Sequence, residues 1–392
     1  MKMVKQILVI LLVLVSFGAR SQESINKILS EIEENSPGIT ALRAQFENEK
    51  AQARTDLLPP NPIVEFGRFP AVQGAGVKQA WGVSQHFEFP TVYAKRNQLA
   101  KSTDRLANAS YNATRQELLL EAKQTILELI GAKRMLSEYK KREAFAYGIQ
   151  SVFQRMVDAG ETSILELNNA KLRVAEISQS VLELESKVKY LNSKLLIMNG
   201  YKPISITDSA FVIPQLPAKD SLLNDLRQND PRIAFAGSLV EVADMELVLT
   251  KHQGLPELGI GYESEKTDAE HFAGFRAGVS IPLWGNSGKR RAAKVNLNLA
   301  QMEEQKNKSM IELEFDENYI VAQSASERLA ELKRAVSEFS NIDLLRRALE
   351  IGQISTVDFF YEITYLYEVT DKLMELELKY MLHFAALNKH KL

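Results

Sequence analysis

Proline is the residue least compatible with a helix interior, and this chain of 392 residues keeps it out of two very long stretches. Thr91 to Lys202 runs for 112 residues without proline, and Leu283 to Leu392 for 110. Helices far longer than those of an ordinary domain are therefore permitted. From Tyr93 or Lys95 to about Asp158 the stripe Leu119, Ala122, Ile126, Leu129, Ala132, Leu136 keeps helical spacing across Gly131. At 1.5 Å per residue, some 64 residues make a helix of about 95 Å. From Glu161 to Asn199, Ile177, Val181, Leu184, Val188, Leu191 and Leu195 alternate in steps of four and three, the seam of a helix returning antiparallel on its predecessor.

The near-equal lengths of the two stretches point to a repeat, and individual residues align. Pro37 with Pro231, Pro62 with Pro256, Gly67 with Gly261 and Lys95-Arg96 with Lys289-Arg290 all stand 194 positions apart. Gly82-Val83-Ser84 matches Gly278-Val279-Ser280 at 196, and Gly160 and Ser163 match Gly352 and Ser355 at 192. That period is too long for a solenoid and reads as an internally duplicated half. The expected organisation is a signal peptide over 1–19, a first repeat over 23–200, an equatorial linker over 201–220 and a second repeat over 221–392. The first repeat holds a leading helix (Ile25 to Leu58), a β-hairpin at 63–89, a long helix at 95–158 and a return helix at 161–199. The second holds a helix, a hairpin at 257–283, a long helix at 289–351 and a return helix at 354–389. The linker, with Pro203, Pro214 and Pro217, reads as an irregular belt carrying a short strand at Phe211 to Ile213.

Lys2 and Lys5 precede the nine-residue apolar run Ile7 to Val15, and Ser16 to Ala19 supply a small-residue cleavage region extending to Gln22. The run is about half of the roughly 20 residues a spanning helix needs. Cleavage changes the net charge from −2 to −4, and no cysteine is present for disulfides or an N-terminal lipid anchor. Such a chain suits a bacterial cell envelope. With 45% apolar and 25% charged residues it is no disordered protein, and the balanced charge leaves no basic footprint for nucleic acid.

In the hairpins, Trp81, Val83, Gln85, Phe87 and Phe89 alternate with Gly82, Ser84, His86 and Glu88. Phe275, Ala277, Val279, Ile281 and Leu283 alternate with Gly274, Arg276, Gly278, Ser280 and Pro282. The partners Ile63 to Phe69 and Leu258 to Glu263 behave similarly, with Leu258, Ile260 and Tyr262 against Gly259, Gly261 and Glu263. Strands of about ten residues match a membrane-crossing strand, and the two tryptophans, Trp81 and Trp284, sit where an interfacial girdle would. A soluble sheet resting one face on a core is the plain alternative. Four strands cannot close a barrel, for which about eight are the minimum, so a lipid-facing sheet must be completed by other copies.

The whole mature chain resembles the outer-membrane efflux proteins, the TolC-like family that includes the CusC- and CzcC-type cation-efflux channels. The resemblance rests on the duplication and on Asn61-Pro62 before the first strand. It rests also on Gly278-Val279-Ser280-Ile281-Pro282-Leu283 with Trp284-Gly285 and Lys289-Arg290, and on Gly352-Gln353-Ile354-Ser355-Thr356-Val357-Asp358-Phe359 opening a helix. It implies a mainly α homotrimer whose long antiparallel coiled-coil helices form a periplasmic α-barrel, with four strands per chain making a 12-stranded outer-membrane β-barrel. Trp81, Val83, Phe87, Phe89, Phe275, Val279, Ile281 and Leu283 would face lipid. A periplasmic adaptor (membrane fusion protein) and an inner-membrane pump, with the RND type as the candidate class, would dock at the far tip. The chain would be the passive exit duct of a tripartite efflux system, carrying cations or small molecules. The alternative is a soluble periplasmic coiled-coil adaptor or scaffold.

At the tips, Gly160 and Gly352 suit left-handed C-caps, and Ser163 and Ser355 suit N-caps of the return helices. An acid follows each glycine by six residues, Glu166 and Asp358. The family resemblance makes Asp358 the first gate candidate and Glu166 the second; the plain reading is that acids in a first turn complement the helix dipole. Where the family carries a second acid three residues on, this chain has Tyr361, which admits an aromatic plug. Lys95-Arg96 and Lys289-Arg290-Arg291, where strands become helices, read as solvated charge. His86, His252, His271, His383 and His390 show no metal-ligand spacing, Gly259-Ile260-Gly261 belongs to a strand, and no nucleophile-and-base signature stands out. The expectation is a non-enzyme without metal or cofactor.

Overall fold

The structure, a computed structural model, describes residues 25–73, 76–206, 211–282, 284, 286–339, 342–351 and 353–392. The expected signal peptide and its cleavage site lie outside the described residues, as do Leu283 and Gly352. Helix α1 covers 25–35 and α2 Pro37–Gln52; strands β1 and β2 follow at Ile63–Pro70 and Val77–Phe87, then helices α3 at Pro90–Asp158 and α4 at Ile164–Met198. The same order resumes with α5 (Lys219–Asn229), α6 (Pro231–His252), β3 (Glu257–Lys266), β4 (His271–Ser280), α7 (Ser287–Phe339), α8 (Ile342–Glu350) and α9 (Thr356–Leu387). A 3-10 turn at Lys389–Lys391 closes it.

Three readings of the sequence are corrected. The leading helix is not continuous from Ile25 to Leu58. It breaks at Ser36, because Pro37 has no N–H to bond four residues back, and Ser36 Oγ accepts from Ile39 N at 3.4 Å instead. Pro231 begins α6 in the same way, with Asp230 Oδ1 accepting from Arg232 N at 2.9 Å. The long helix expected over 289–351 is helical over Ser287–Phe339 (α7) and Ile342–Glu350 (α8), and the two residues between them lie outside the described residues. Residues 211–213 form no strand: no neighbouring strand pairs with them, Pro214 has no donor, and Phe211 packs on the helical core. The strands also end at Phe87 and Ser280, short of the expected 89 and 283.

The fold divides into two compact units that cut across the sequence repeats. Of the described residues, those within 25–41, 115–229 and 312–392 make up the first. Its core forms where α3 is apolar on two adjoining stripes, Ala122, Ile126 and Leu129 on one and Leu120, Leu127 and Ile130 on the other. Those stripes take Ile25, Ile28, Leu29 and Ile32 of α1, Leu191 and Leu195 of α4 and Ala385 of α9. Gly131 does not break α3; a Cβ there would lie 3.1 Å from Leu378 of α9, so the glycine permits close helix contact. Along α4, Leu167, Ala170, Val174, Ile177, Val181, Leu191 and Leu195 are buried, and Leu184 and Val188, which complete the three-four seam read from the sequence, are half-buried.

Polar clamps complete this unit. Lys389, almost wholly buried, reaches Glu117 at 3.0 Å and Glu314 at 2.7 Å, and His390 Nε2 meets Asp225 Oδ2 at 2.9 Å. Hydrogen bonds from His390, then Lys391 and Asn229, hold the Asp225 carboxyl down at about 2.

Gly200, φ +61°, ends α4 in a Schellman motif in which Tyr201 N donates to Leu196 O at 2.8 Å and Gly200 N to Ile197 O at 3.1 Å. A Cβ at Gly200 would stand 2.5 Å from the Asn35 carbonyl oxygen. Gly160, φ +73°, has nothing within 4 Å of such a Cβ. Gly160→Asn is therefore expected to cost only a few tenths of a kcal/mol, since asparagine tolerates the left-handed region. Gly200→Asn, which adds a backbone clash, should cost roughly 1–3 kcal/mol. Paired thermal melts check this, and equal losses at the two sites would contradict it.

The second unit consists of residues 42–114 and 230–311. It holds an antiparallel sheet in the order β1-β2-β3-β4, carried on parts of α2, α3 and α7 and on α6. Among its helices, Ser102 Oγ donates to Glu241 Oε1 at 3.2 Å and Arg105 pairs with the same carboxylate. Phe46 of α2 meets Tyr111 of α3 with ring centroids 5.6 Å apart.

Candidate functional site

Register gives the sheet two chemically distinct faces, because directly opposed residues share a face and neighbours along a strand do not. Cross-strand rows run Phe66, Trp81, Ser264, Ala273; then Val64, Val83, Tyr262, Phe275; then Phe87, Leu258, Val279. Tyr262 lies 5.5 Å from Trp81 and 5.3 Å from Phe275 between ring centroids, a ladder of three aromatic rings. The described residues do not cover that face: Phe275 is 93% exposed, Val64 74% and Val279 62%.

The opposite face carries Gly67, Gly82, Gly259, Gly261, Gly274 and Gly278 among Glu65, Ser84, His86, Glu263 and Glu265. Lys78 pairs with Glu265 at 2.7 Å, and Arg276 pairs with Glu263. This face lines an open groove of about 740 Å³. Among the described residues neither β1 nor β4 has a strand on its outer side, so both edges present unpaired backbone groups.

Of the residues expected to face lipid, Trp81, Val83, Phe87, Phe275 and Val279 share the apolar face. Phe89 and Ile281 lie beyond the strand ends, Ile281 exposed and Phe89 half-buried, and Leu283 is outside the described residues. The sequence reading did not single out Val64 and Phe66 of β1. Their alternation is blurred by Ile63 and Phe69, apolar residues on the other face.

At the helix ends of the first unit, Gly160 closes α3 by a Schellman motif, with Glu161 N donating to Met156 O at 2.8 Å and Gly160 N to Val157 O at 3.0 Å. Ser163 then caps α4 by accepting from Glu166 N at 3.4 Å. After α8, Gln353 N donates to Ala348 O at 2.8 Å, the six-to-one bond of the same motif. Ser355 and Asp358 form a reciprocal capping box: Asp358 N donates to Ser355 Oγ at 3.1 Å, and Asp358 Oδ2 accepts from Ser355 N at 3.3 Å and from its hydroxyl at 2.6 Å. The Asp358 carboxylate is thus engaged by its own helix start.

The two tips share a hydrophobic floor. Phe359 is fully buried with Ile149, Phe153, Leu167, Ala170 and Ile363, and Ile342, Leu345 and Leu349 of amphipathic α8 pack against them. Glu166 and Tyr361, both gate candidates, come together on a groove between α4 and α9, whereas Asp358 is not among its lining residues.

Farther from the tips, between α3 and α9, lies a cluster that periodicity did not reveal. Arg142, 3% exposed, grips Asp371 through two nitrogens at 2.8 and 2.9 Å. Its guanidinium lies over Tyr139 and Tyr367, at 4.8 and 4.2 Å from the ring centroids. Burial, then the hydrogen bond to Asp371 at 2.9 Å, pushes the Tyr139 phenol up to about 12, and burial also raises Tyr367. The only hint in the sequence is a charge inside each apolar seam.

Among the described residues no three His, Asp or Glu side chains gather as metal ligands, and no helix is long and apolar enough to cross a membrane. No family model and no curated protein matches the sequence. Solved structures do match. The CmeC outer membrane channel of Campylobacter jejuni aligns at TM-score 0.78 and 15% identity, over 94% of this chain and 85% of that one. The outer membrane protein VceC of Vibrio cholerae aligns at 0.77 and 13%, over 95% and 97%. The MtrE outer membrane channel of Neisseria gonorrhoeae, solved in its open state, aligns at 0.73 and 13%, over 93% and 88%. Nearly end to end, then, the chain has the fold of outer-membrane channels of the TolC-like kind.

Proposed function

We propose that this chain is the outer-membrane exit duct of a tripartite efflux system in a bacterial envelope. It works as a homotrimer of internally duplicated subunits, with a 12-stranded barrel in lipid and the helical part in the periplasm. The observation that carries this is the sheet: four strands with one uncovered apolar face, one small and polar face, and two open edges. Lipid satisfies the first, a water-filled lumen the second, and neighbouring subunits the third. Support for the trimer also comes from α7, which leaves Val295, Leu299, Met302, Met310, Leu313 and Ile320 exposed along its length. The duplication is supported by Pro37 and Pro231, paired in the sequence, each starting a helix after a buried cap.

Conduction is passive, and the energy comes from an inner-membrane pump, of which the RND type is the candidate, acting through a periplasmic adaptor at the Gly160 and Gly352 tips. The substrates are cations or small molecules. Tyr361, 74% exposed, and Glu166 are the stronger gate candidates, since the Asp358 carboxylate is held in its capping box. A soluble periplasmic scaffold would leave the apolar sheet face in water, which disfavours that reading.

Purified mature protein is expected to need detergent, to run as a heat-sensitive trimer and to conduct ions in planar bilayers. A freely soluble monomer without conductance would sink the proposal. In the same bilayers Tyr361→Ala should raise resting conductance more than Asp358→Ala does, and the reverse order would return the gate to Asp358.

A further inference from the structure

The groove between α4 and α9 has a volume of about 460 Å³ and an unusual lining. Tyr361 and Tyr365, one helical turn apart on α9, stand 74% and 63% exposed on its wall. Phe360, stacked on Phe153 with centroids 6.3 Å apart, adds an apolar floor. Two carboxylates, Glu166 and Glu368, complete the wall, and among the described residues neither has an ion-pair partner. The one cation there is already engaged: Arg173 donates to Glu176 Oε2 at 2.7 Å and to the Thr364 hydroxyl. The lining thus sets two carboxylates against one guanidinium that Glu176 already engages, and it is net negative between aromatic faces.

We propose that this groove is a binding site for a small organic cation of the quaternary-ammonium class, seated against Tyr361 and Tyr365 and balanced by Glu166 and Glu368. Ring faces attract a weakly hydrated cation, and the carboxylates supply the long-range part of the attraction. Other ligand chemistries fit worse. An anion meets two carboxylates, and a neutral apolar molecule would desolvate those carboxylates without compensation. A hard metal ion wants three or more oxygen or nitrogen ligands, and no such group is found among the described residues. A volume of this order lies within the range of small-molecule sites. The proposal concerns a binding site only and stands whether or not the chain conducts.

The test is calorimetric titration of the full chain in detergent with choline and with its uncharged tert-butyl carbon isostere. Choline is expected to bind saturably, once per chain, and the isostere about tenfold or more weakly. Replacing both rings, Tyr361→Leu with Tyr365→Leu, should weaken choline by about tenfold, while the two Tyr→Phe changes leave it within about twofold. Glu166→Gln with Glu368→Gln should weaken it severalfold and flatten its dependence on salt. Both tyrosines are exposed, so the variants should keep the wild-type melting point; if the leucine pair does not, Tyr361→Ser alone is read. Equal binding of the isostere, unchanged binding by the leucine pair, or no saturable binding of choline would each overturn the proposal.

Discussion

An arginine at Val83 is expected to abolish assembly in the outer membrane, whereas an arginine at the next residue, Ser84, is expected to be tolerated. The two differ by one step along β2 and therefore by the whole thickness of the sheet. Val83 lies between Val64 and Tyr262 on the apolar face, and Ser84 between Ile63 and Gly261 on the face that carries the glycines and acids. A cationic side chain on the lipid side near the bilayer midplane costs about 2–4 kcal/mol, and a closed trimer would carry that cost three times. Arginine at Ser84 instead enters an open groove with Glu263 and Glu265 among its lining residues. Membrane fractionation, with the heat-sensitive oligomer as readout, compares the two variants. Equal behaviour would show that the apolar face does not meet lipid.

The second large effect is expected inside the helical unit. Arg142→Met should cost roughly 3–5 kcal/mol, because it strands a partly buried carboxylate that the arginine now neutralises. Asp371, with only about a fifth of its side chain exposed, would keep Tyr139 as its remaining donor. The double variant Arg142→Met with Asp371→Leu should recover most of the loss, since an apolar pair of similar volume needs no counter-charge. Urea midpoints followed by circular dichroism measure both, and a single-variant loss under about 1 kcal/mol would show the cluster to be incidental. The cluster also carries a pH signature. The Tyr139 phenol titrates near 12 in the folded chain and at its ordinary 10 when unfolded. Its contribution is therefore complete below pH 10 and is lost as pH rises through 12, so the wild type should soften across that window and Tyr139→Phe should soften less.

How far the sequence could be read depended on what each feature answers to. Caps are local, and Gly160, Ser163 and Ser355 stand in the roles their residue types predict. The α4 seam is equally plain, because a single buried stripe leaves an uninterrupted three-four rhythm. The phase of β1 was obscured by Ile63 and Phe69, which are apolar on the polar face and become assignable only through their pairing with Ser84 and Lys78. The break at Pro37 was hidden because a proline in the first turn of a helix leaves the apolar rhythm intact on both sides. The tip groove and the Arg142 cluster lay beyond periodicity, since each joins residues about two hundred positions apart.

The threading of the chain through its first compact unit has a consequence for biosynthesis. That unit is built from three separated segments, and its central cluster takes Ile25 from near one end and Ala385 from near the other. A ribosome that has made the first two hundred residues has therefore supplied α1, α3 and α4 without the layer that α9 contributes. Until α9 is made, the nascent polypeptide can gather α1, α3 and α4 around that cluster but lacks the last layer, Ala385 with Leu378, Met381 and Leu382.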